Sequence, residues 1–229
     1  AWGWNALGQL GDGTTAGRLT PTAIQPDERW QAVAAGESYT VALRADGTLW
    51  AWGGNDFGEL GDGSMTARLT PTAIQPDARW QAVAGGWSHT VALRADGTLW
   101  AWGNNVWGQL GDGTTTLRLT PTAIQPDARW QAVAAGWSQT VALRADGTLW
   151  AWGRNEQGQL GDGTRTQRLT PTAIQPDARW QAVAAGSQHT VALREDGTLW
   201  AWGSNEQGQL GIPPWRQVLG GAVWGPPGP

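Results

Sequence analysis

The sequence has no cysteine and no lysine, and it contains only two histidines, one methionine, one tyrosine and one phenylalanine in 229 residues. Without cysteine, disulfides, thiol catalysis and cysteine-ligated zinc are excluded. The charged residues sum to a formal net charge of −4 and are spread along the chain without basic or acidic blocks. Nucleic-acid binding needs a clustered basic surface, so no nucleic-acid partner is expected. No run reaches the roughly 18 apolar residues of a membrane-spanning helix, so no membrane partner is expected either.

The sequence also lacks the motifs of common catalytic sites. It has no Walker loop, no G-x-S-x-G and no H-E-x-x-H. The two histidines, His89 and His189, occupy the same position of an internal repeat, where a structural hydrogen bond is expected. An aspartate in each G-D-G sequence recurs only once per repeat, which is too sparse for a calcium-binding loop. We therefore expect no enzyme activity, no cofactor and no metal site, and a protein that acts by binding.

What the chain has in abundance is glycine, with 34 residues, and tryptophan, with 19. Both follow a repeat of 50 residues, in which 36 columns are identical in all four full units. The full units begin at Ala1, Ala51, Ala101 and Ala151, and a partial unit begins at Ala201. A fixed period of this length is typical of propellers and solenoids, in which each unit packs on its neighbours.

Each unit contains four short runs typical of strands. In the second repeat these are residues 80–84, 90–94, 98–102 and, before them, 69–74. The runs are apolar on both faces, so a small sheet made from them must be packed between neighbours. Four-stranded antiparallel sheets packed around an axis form a β-propeller, and the sequence therefore predicts an all-β propeller. A flat β-solenoid is the main alternative, but solenoid repeats are usually shorter.

The run from Gly86 to Thr114, GWSHTVALRADGTLWAWGNNVWGQLGDGT, resembles the repeat of the regulator of chromosome condensation family. The hallmarks are G-x-x-H-T, D-G-x-(V/L)-(W/Y)-x-W-G-x-N and G-Q-L-G at fixed spacing, and the match covers residues 1–211. The resemblance implies a propeller, typically of seven blades. This chain supplies about four and a half units. We therefore expect an arc that is incomplete, or that is closed by self-association through its open blade edges.

The segment 212–229 leaves the repeat and replaces the outer strand of the last unit. Within it, residues 216–219 are predicted to add a strand, and the final residues 225–229 are predicted to be disordered. In the repeats themselves, thirteen tryptophans fall in three framework columns, such as those of Trp80, Trp100 and Trp102. These rings are expected to form the core between blades.

Variation among the units is confined mainly to one end of the predicted blades. Of 14 varying columns, 12 lie in or beside the connections between strands one and two or strands three and four. In an up-and-down sheet these connections lie at the same end. Loop drift is the alternative explanation, but exposed aromatic and arginine residues on a rigid scaffold are typical of binding hot spots. The candidate partner-binding residues are Trp4, Leu7, Glu37, Tyr39, Asp56, Phe57, Trp87, His89, Trp107, Trp137, Gln139, Arg154 and Arg165.

The leading hypothesis is a protein-recognition module with a variable loop face. A secreted bacterial member of the family inhibits β-lactamases, so the resemblance implies enzyme inhibition as one subtype and favours an extracellular location. A self-assembling structural protein, ring or fibre, is the alternative. The sequences around Trp87 and Trp137 also resemble the G-W-R-H-T motif of a plant ultraviolet photoreceptor, with serine in place of arginine. Nucleotide exchange on a small GTPase needs an insertion for which these strict 50-residue units have no room.

Overall fold

The computed structural model describes residues 1–212 and the backbone of a strand at 222–224. The regular secondary structure of these residues consists of β-strands. No helix in these ranges is long and apolar enough to cross a membrane. The strands are β1 (Trp30–Ala35), β2 (Tyr39–Arg44), β3 (Leu49–Gly53), β4 (Arg68–Ile74), β5 (Trp80–Gly85), β6 (His89–Arg94), β7 (Leu99–Gly103), β8 (Arg118–Ile124), β9 (Trp130–Ala135), β10 (Gln139–Arg144), β11 (Leu149–Gly153), β12 (Arg168–Ile174), β13 (Trp180–Ala185), β14 (His189–Arg194), β15 (Leu199–Gly203) and β16 (Ala222–Trp224).

The strands form four separate antiparallel sheets, each with its strands in chain order, which we call blades 1 to 4. The first strands of neighbouring blades contact one another, so they line the inner side of the arc and the fourth strands lie outside. Each hairpin between strands two and three turns on an Asp-Gly pair. In blade 2 the φ of Gly97 is +81°, and the Asp96 carboxylate accepts a hydrogen bond from the amide of Thr98 at 2.9 Å. The predicted propeller blades and their strand order are confirmed.

Residues 1–22 form the outer part of a further blade that precedes blade 1. The amide of Gly3 donates to the carbonyl of Arg18 at 2.8 Å, and the amide of Thr22 donates to the carbonyl of Ala1 at 2.9 Å. By alignment with the repeats, these segments correspond to strands three and four. We call this part the half blade.

The outer strand of blade 4 is made by sequence outside the repeat. Strand β16 pairs with β15, with Trp200 opposite Val223, in the place that a repeated fourth strand takes in blades 1 to 3. The strand predicted at 216–219 and the disorder predicted at 225–229 lie outside the described residues. An outer strand contributes mainly backbone hydrogen bonds, which explains why a different sequence serves at this position.

The core lies between the blades rather than within them. At the boundary of blades 1 and 2, Leu43 and Leu49 from one blade pack with Trp80 and Trp102 from the next, and all four are almost completely buried. The rings of Trp80 and Trp102 meet edge to face with centroids 6.0 Å apart. The indole of Trp102 also donates to the carbonyl of Glu59 at 2.9 Å, so its polar atom is satisfied.

This packing depends on the last glycine of the G-Q-L-G column set, which reads G-E-L-G at residues 58–61. Gly61 has a φ of +78°, and a Cβ atom there would lie 2.6 Å from Nε1 of Trp102. The third framework column, that of Trp100, is only half buried. Its ring is covered instead by the guanidinium of Arg94, 3.7 Å from the ring centroid. At the boundaries between blades 1 and 4, the expectation that the framework tryptophans form the inter-blade core is thus met by two columns and in part by the third, whereas Trp2 of the half blade is 64% exposed and Trp30 of blade 1 is half buried.

Three candidate binding residues prove to be internal. Tyr39, His89 and Gln139 are 1%, 0% and 0% exposed, so the expectation that they face a partner is wrong. Each links its blade to the next. The Tyr39 hydroxyl donates to the carbonyl of His89 at 2.5 Å, Nε2 of His89 lies 3.1 Å from Oγ1 of Thr140, and Gln139 Nε2 donates to the carbonyl of Gly186 at 2.9 Å. The first residue of the second strand therefore bridges blades.

The core assignment predicts unequal costs for two tryptophan substitutions. Trp102→Ala removes a fully buried ring and its hydrogen bond, and should lower the free energy of unfolding by about 3–5 kcal/mol. Trp107→Ala removes a half-buried loop residue, and should cost less than about 1.5 kcal/mol. Chemical denaturation of both variants measures the difference, and equal losses would contradict the assignment.

The buried position of His89 predicts a pH-dependent stability. Burial lowers the pKa of His89 to about 4, whereas the unfolded chain has the ordinary value of 6.5. Between these values the unfolded state binds the proton and the folded state does not, so stability is complete above pH 6.5 and falls as the pH drops towards 4. His89→Gln, which copies the natural Gln139, should reduce this fall by up to about 3 kcal/mol. Denaturation of both proteins at pH 7 and pH 4.5 tests this, and parallel losses would contradict it.

Candidate functional site

The loops between strands three and four are held in one conformation by the same asparagine, aspartate and arginine columns in all four full units. In blade 1, Oδ1 of Asn55 accepts from the amide of Leu60 at 3.0 Å, and Asp62 accepts from the amide of Ser64 at 2.9 Å and from Nε of Arg68 at 2.7 Å. Burial alone would raise the pKa of Asp62, but these hydrogen bonds outweigh it and lower the pKa. The repeated aspartate therefore braces a loop, and the described residues contain no group of three potential metal ligands.

On these braced loops, five of the candidate residues form a continuous row across three blades. The ring of Phe57 lies 6.1 Å from that of Trp87, and Trp87 meets Trp137 edge to face at 5.8 Å. The guanidinium of Arg154 then lies 5.1 Å from the centroid of Trp137 and 4.8 Å from that of Trp107. We call Phe57, Trp87, Trp137, Arg154 and Trp107 the aromatic row.

The row borders an open cavity of about 590 Å³ at the inner side of the arc. The turns between strands one and two of all four blades line it, and they contribute the side chains of Glu37, Trp87, Trp137 and Ser187. The amide of Trp87 donates to the carbonyl of Gly136 at 3.2 Å, which joins the turns of successive blades. We call this cavity the axial funnel.

A glycine keeps the turns of the funnel close together. A Cβ atom on Gly86 would lie 2.3 Å from the His89 ring and 2.7 Å from the carbonyl oxygen of Gly136. The turn can therefore approach its neighbour only because this position has no side chain. The close approach is what brings Trp87 and Trp137 into ring contact, although they belong to different blades.

The remaining five candidate residues lie on the same loops but do not belong to the aromatic row. Glu37 is exposed in the funnel beside Trp87, and Leu7 is half buried against Gly54. The other three, Trp4, Asp56 and Arg165, are exposed.

Sequence reasoning missed two acidic residues at this end. Glu156 forms an ion pair with Arg154, and Glu59, which is only 3% exposed, accepts a hydrogen bond from the amide of Phe57 at 2.7 Å. Burial raises the pKa of Glu59. The available signal was that Glu59 stands where every other unit has glutamine.

Similar structures share the blade architecture. Human WBSCR16 superposes with a TM-score of 0.80 at 24% sequence identity, over 98% of this chain and 61% of that one. Yeast RCC1 (Prp20) bound to Kap60 gives 0.78 at 24% identity, over 93% and 52%. A second structure of Prp20p from Saccharomyces cerevisiae, described with its binding properties to Gsp1p and histones, gives 0.78 at 24% identity, over 93% and 54%. The chain thus spans between half and two thirds of the length of these proteins.

No curated protein sequence matches this chain. Two family models do, and both describe the regulator of chromosome condensation (RCC1) repeat. One matches residues 1–43, 46–93, 96–143 and 146–193, and the other matches residues 30–59, 80–109, 130–159 and 180–209. The matches cover most of the chain and follow its 50-residue period through all four blades. The chain therefore belongs to the RCC1 repeat family.

Proposed function

We propose that the chain is a protein-recognition module that holds a folded partner against its variable end. The observation that supports this proposal is the aromatic row. It places three tryptophans, a phenylalanine and an arginine side by side across three blades, next to the axial funnel. Tryptophan and arginine are the residue types most enriched among binding hot spots.

The rigidity of the loops favours tight binding. Ordering flexible loops on association costs free energy, whereas these loops are already held by hydrogen bonds such as that from Asn55 Nδ2 to the carbonyl of Ser64 at 3.0 Å. The turns around the funnel are likewise bonded to each other across blades. A partner would therefore meet a surface that needs little rearrangement.

The concave shape of the funnel suits a protruding loop of the partner. Where that loop carries an active site or its entrance, binding would block substrate, and enzyme inhibition is the more specific form of this proposal. Yeast Prp20, which shares the fold, is described as binding Gsp1p and histones. That description concerns another protein, but it supports protein partners as the class of ligand.

Replacing the tryptophans of the row tests the proposal. The triple variant Trp87→Ser, Trp107→Ser, Trp137→Ser should lose capture of protein partners from a native extract, because truncating a central aromatic anchor costs about 2 kcal/mol or more of binding. The three side chains are half buried and lie outside the inter-blade clusters. The melting temperature should therefore fall by less than about 10 °C.

The matched control changes the opposite end of the blades, with Asp177→Asn and Glu195→Gln, and should leave capture unchanged. If the triple variant folds and still captures the same proteins, the variable end is not the binding surface. If it unfolds, the single variants Trp87→Ser and Trp107→Ser, compared at matched stability, replace it.

Self-assembly is the second candidate, and the two end faces of the arc support it. Leu199 on blade 4 is 45% exposed, whereas its equivalents Leu49, Leu99 and Leu149 are fully buried against the next blade. At the other end, an apolar cleft of about 450 Å³ lies between the half blade and blade 1 and is lined by Trp2, Trp30, Val33 and Trp52. Both places present apolar residues of the kind that are buried at the boundaries between blades 1 and 4, so copies would join head to tail into a ring or a fibre through them.

One charged side chain, introduced at the exposed face of blade 4, tests self-assembly. The unmodified chain should show a mass that rises with concentration in sedimentation equilibrium, and Leu199→Lys should remain monomeric, because it places an ammonium group in the apolar interface. Glu206→Lys introduces the same ammonium group at an exposed residue in the loop beyond the other end of β15 and is the control. A monomeric unmodified chain at every concentration would contradict this candidate.

A further inference from the structure

The loops between strands one and two and between strands three and four lie at the variable end of the blades, and the boundaries between blades can be compared there. Columns are numbered by the residues of the first unit. At each boundary, column 7 of the leading blade meets columns 37, 4 and 6 of the following blade, and we call this place a notch. At the third notch, between blades 2 and 3, these residues are Trp107, Trp137, Arg154 and Glu156. Arg154 places its guanidinium against both rings and forms an ion pair with Glu156. These contacts show that the side chains of the four columns lie close together and that a guanidinium fits among them.

The first notch, between the half blade and blade 1, has the same backbone and no cation. Glycine stands in the arginine column, so Gly54 offers no side chain to fill the point. The surrounding columns are Leu7, which packs over Gly54, and two exposed acids, Glu37 and Asp56. The first notch therefore carries negative charge, whereas in the third notch the acid, Glu156, is paired with Arg154.

The second notch, between blades 1 and 2, is aromatic and also has no cation. Phe57 and Trp87 are 6.1 Å apart, and Asn104 stands in the arginine column, with its side-chain oxygen accepting from the amide of Val106 at 3.0 Å. The buried carboxylate of Glu59 accepts a hydrogen bond from the Phe57 amide at 2.7 Å, and so holds the loop that carries the Phe57 ring.

These acids contrast with most of the other carboxylates on the loops. Glu156 and the four bracing aspartates, such as Asp62, are paired with arginine. Glu37, Asp56 and Glu59 form no ion pair with any residue that the structure describes. The first notch thus supplies two exposed acids without a cationic partner, the second supplies two half-buried aromatic rings, and Glu37 and Trp87 share the wall of the axial funnel.

We propose that these two notches bind an arginine side chain presented by a loop of the partner protein, with its guanidinium on Trp87 and paired with Glu37 and Asp56. The proposal rests on the function proposed above and names the chemistry of the partner. Guanidinium is planar, stacks on aromatic faces and forms bidentate bonds with carboxylates, so it fits this surface better than the compact ammonium of lysine. Across the first two notches, the partner's arginine would make the two kinds of contact that Arg154 makes in the third, stacking on an aromatic ring and pairing with a carboxylate.

The test uses the full chain as bait for a display library of random cyclic peptides. Arginine should be enriched in the selected peptides. For each of several peptides, the essential arginine is replaced by citrulline, which keeps the shape but removes the charge. Affinity should fall about tenfold, and the same loss should follow Glu37→Gln with Asp56→Asn in the chain. The two changes combined should cost little more than either alone, since they remove the same contact.

Controls separate this proposal from the general one. Asp177→Asn with Glu195→Gln removes the same charge at the opposite end and should leave every affinity unchanged, and each variant should keep the melting temperature of the parent. Peptides that depend on Trp87, shown by Trp87→Ser, but tolerate citrulline or carry lysine equally often would overturn the arginine site and leave the recognition surface standing. Peptides that bind without regard to Trp87 would overturn both.

Discussion

The structure depends on the contact of a tryptophan pair from one blade with the leucines of the blade before it. At each inter-blade boundary, rings equivalent to Trp80 and Trp102 are buried against residues equivalent to Leu43 and Leu49. No blade buries its own apolar faces, so each is stable only beside a neighbour. The repeated glycines, the brace of asparagine and aspartate, and the loop conformation all follow from the need to bring these surfaces together.

Because invariant columns carry most of this packing, the loops at one end are free to differ. The side chains of the aromatic row take no part in the inter-blade clusters. Substitution there changes the surface that a partner meets without changing the spacing of the blades. Constancy at one end of the molecule and variety at the other are thus two results of one packing arrangement.

The fold was accessible from the sequence because the repeat supplies the same evidence four times. Strand positions, strand order and the buried columns of Trp80 and Trp102 all follow from periodicity and turn residues. The site was accessible only in part. Variation among the units suggested that Tyr39, His89 and Gln139 are surface residues. A buried column also varies when several different side chains can make the same hydrogen bond to the next blade, and the sequence alone does not distinguish the two cases. The stacking of Arg154 on Trp107 joins different blades, so no local pattern announces it.

The bridges made by those three residues have a genetic consequence. Their partners on the next blade are the carbonyl of His89, the side chain of Thr140 and the carbonyl of Gly186, which are backbone atoms or a threonine that every full unit has. These bridges therefore tie no unit to one particular successor. Near-identical repeats are prone to duplication and unequal recombination, and an exchange of whole units would here keep the bridges while changing the order of the loops at the variable end.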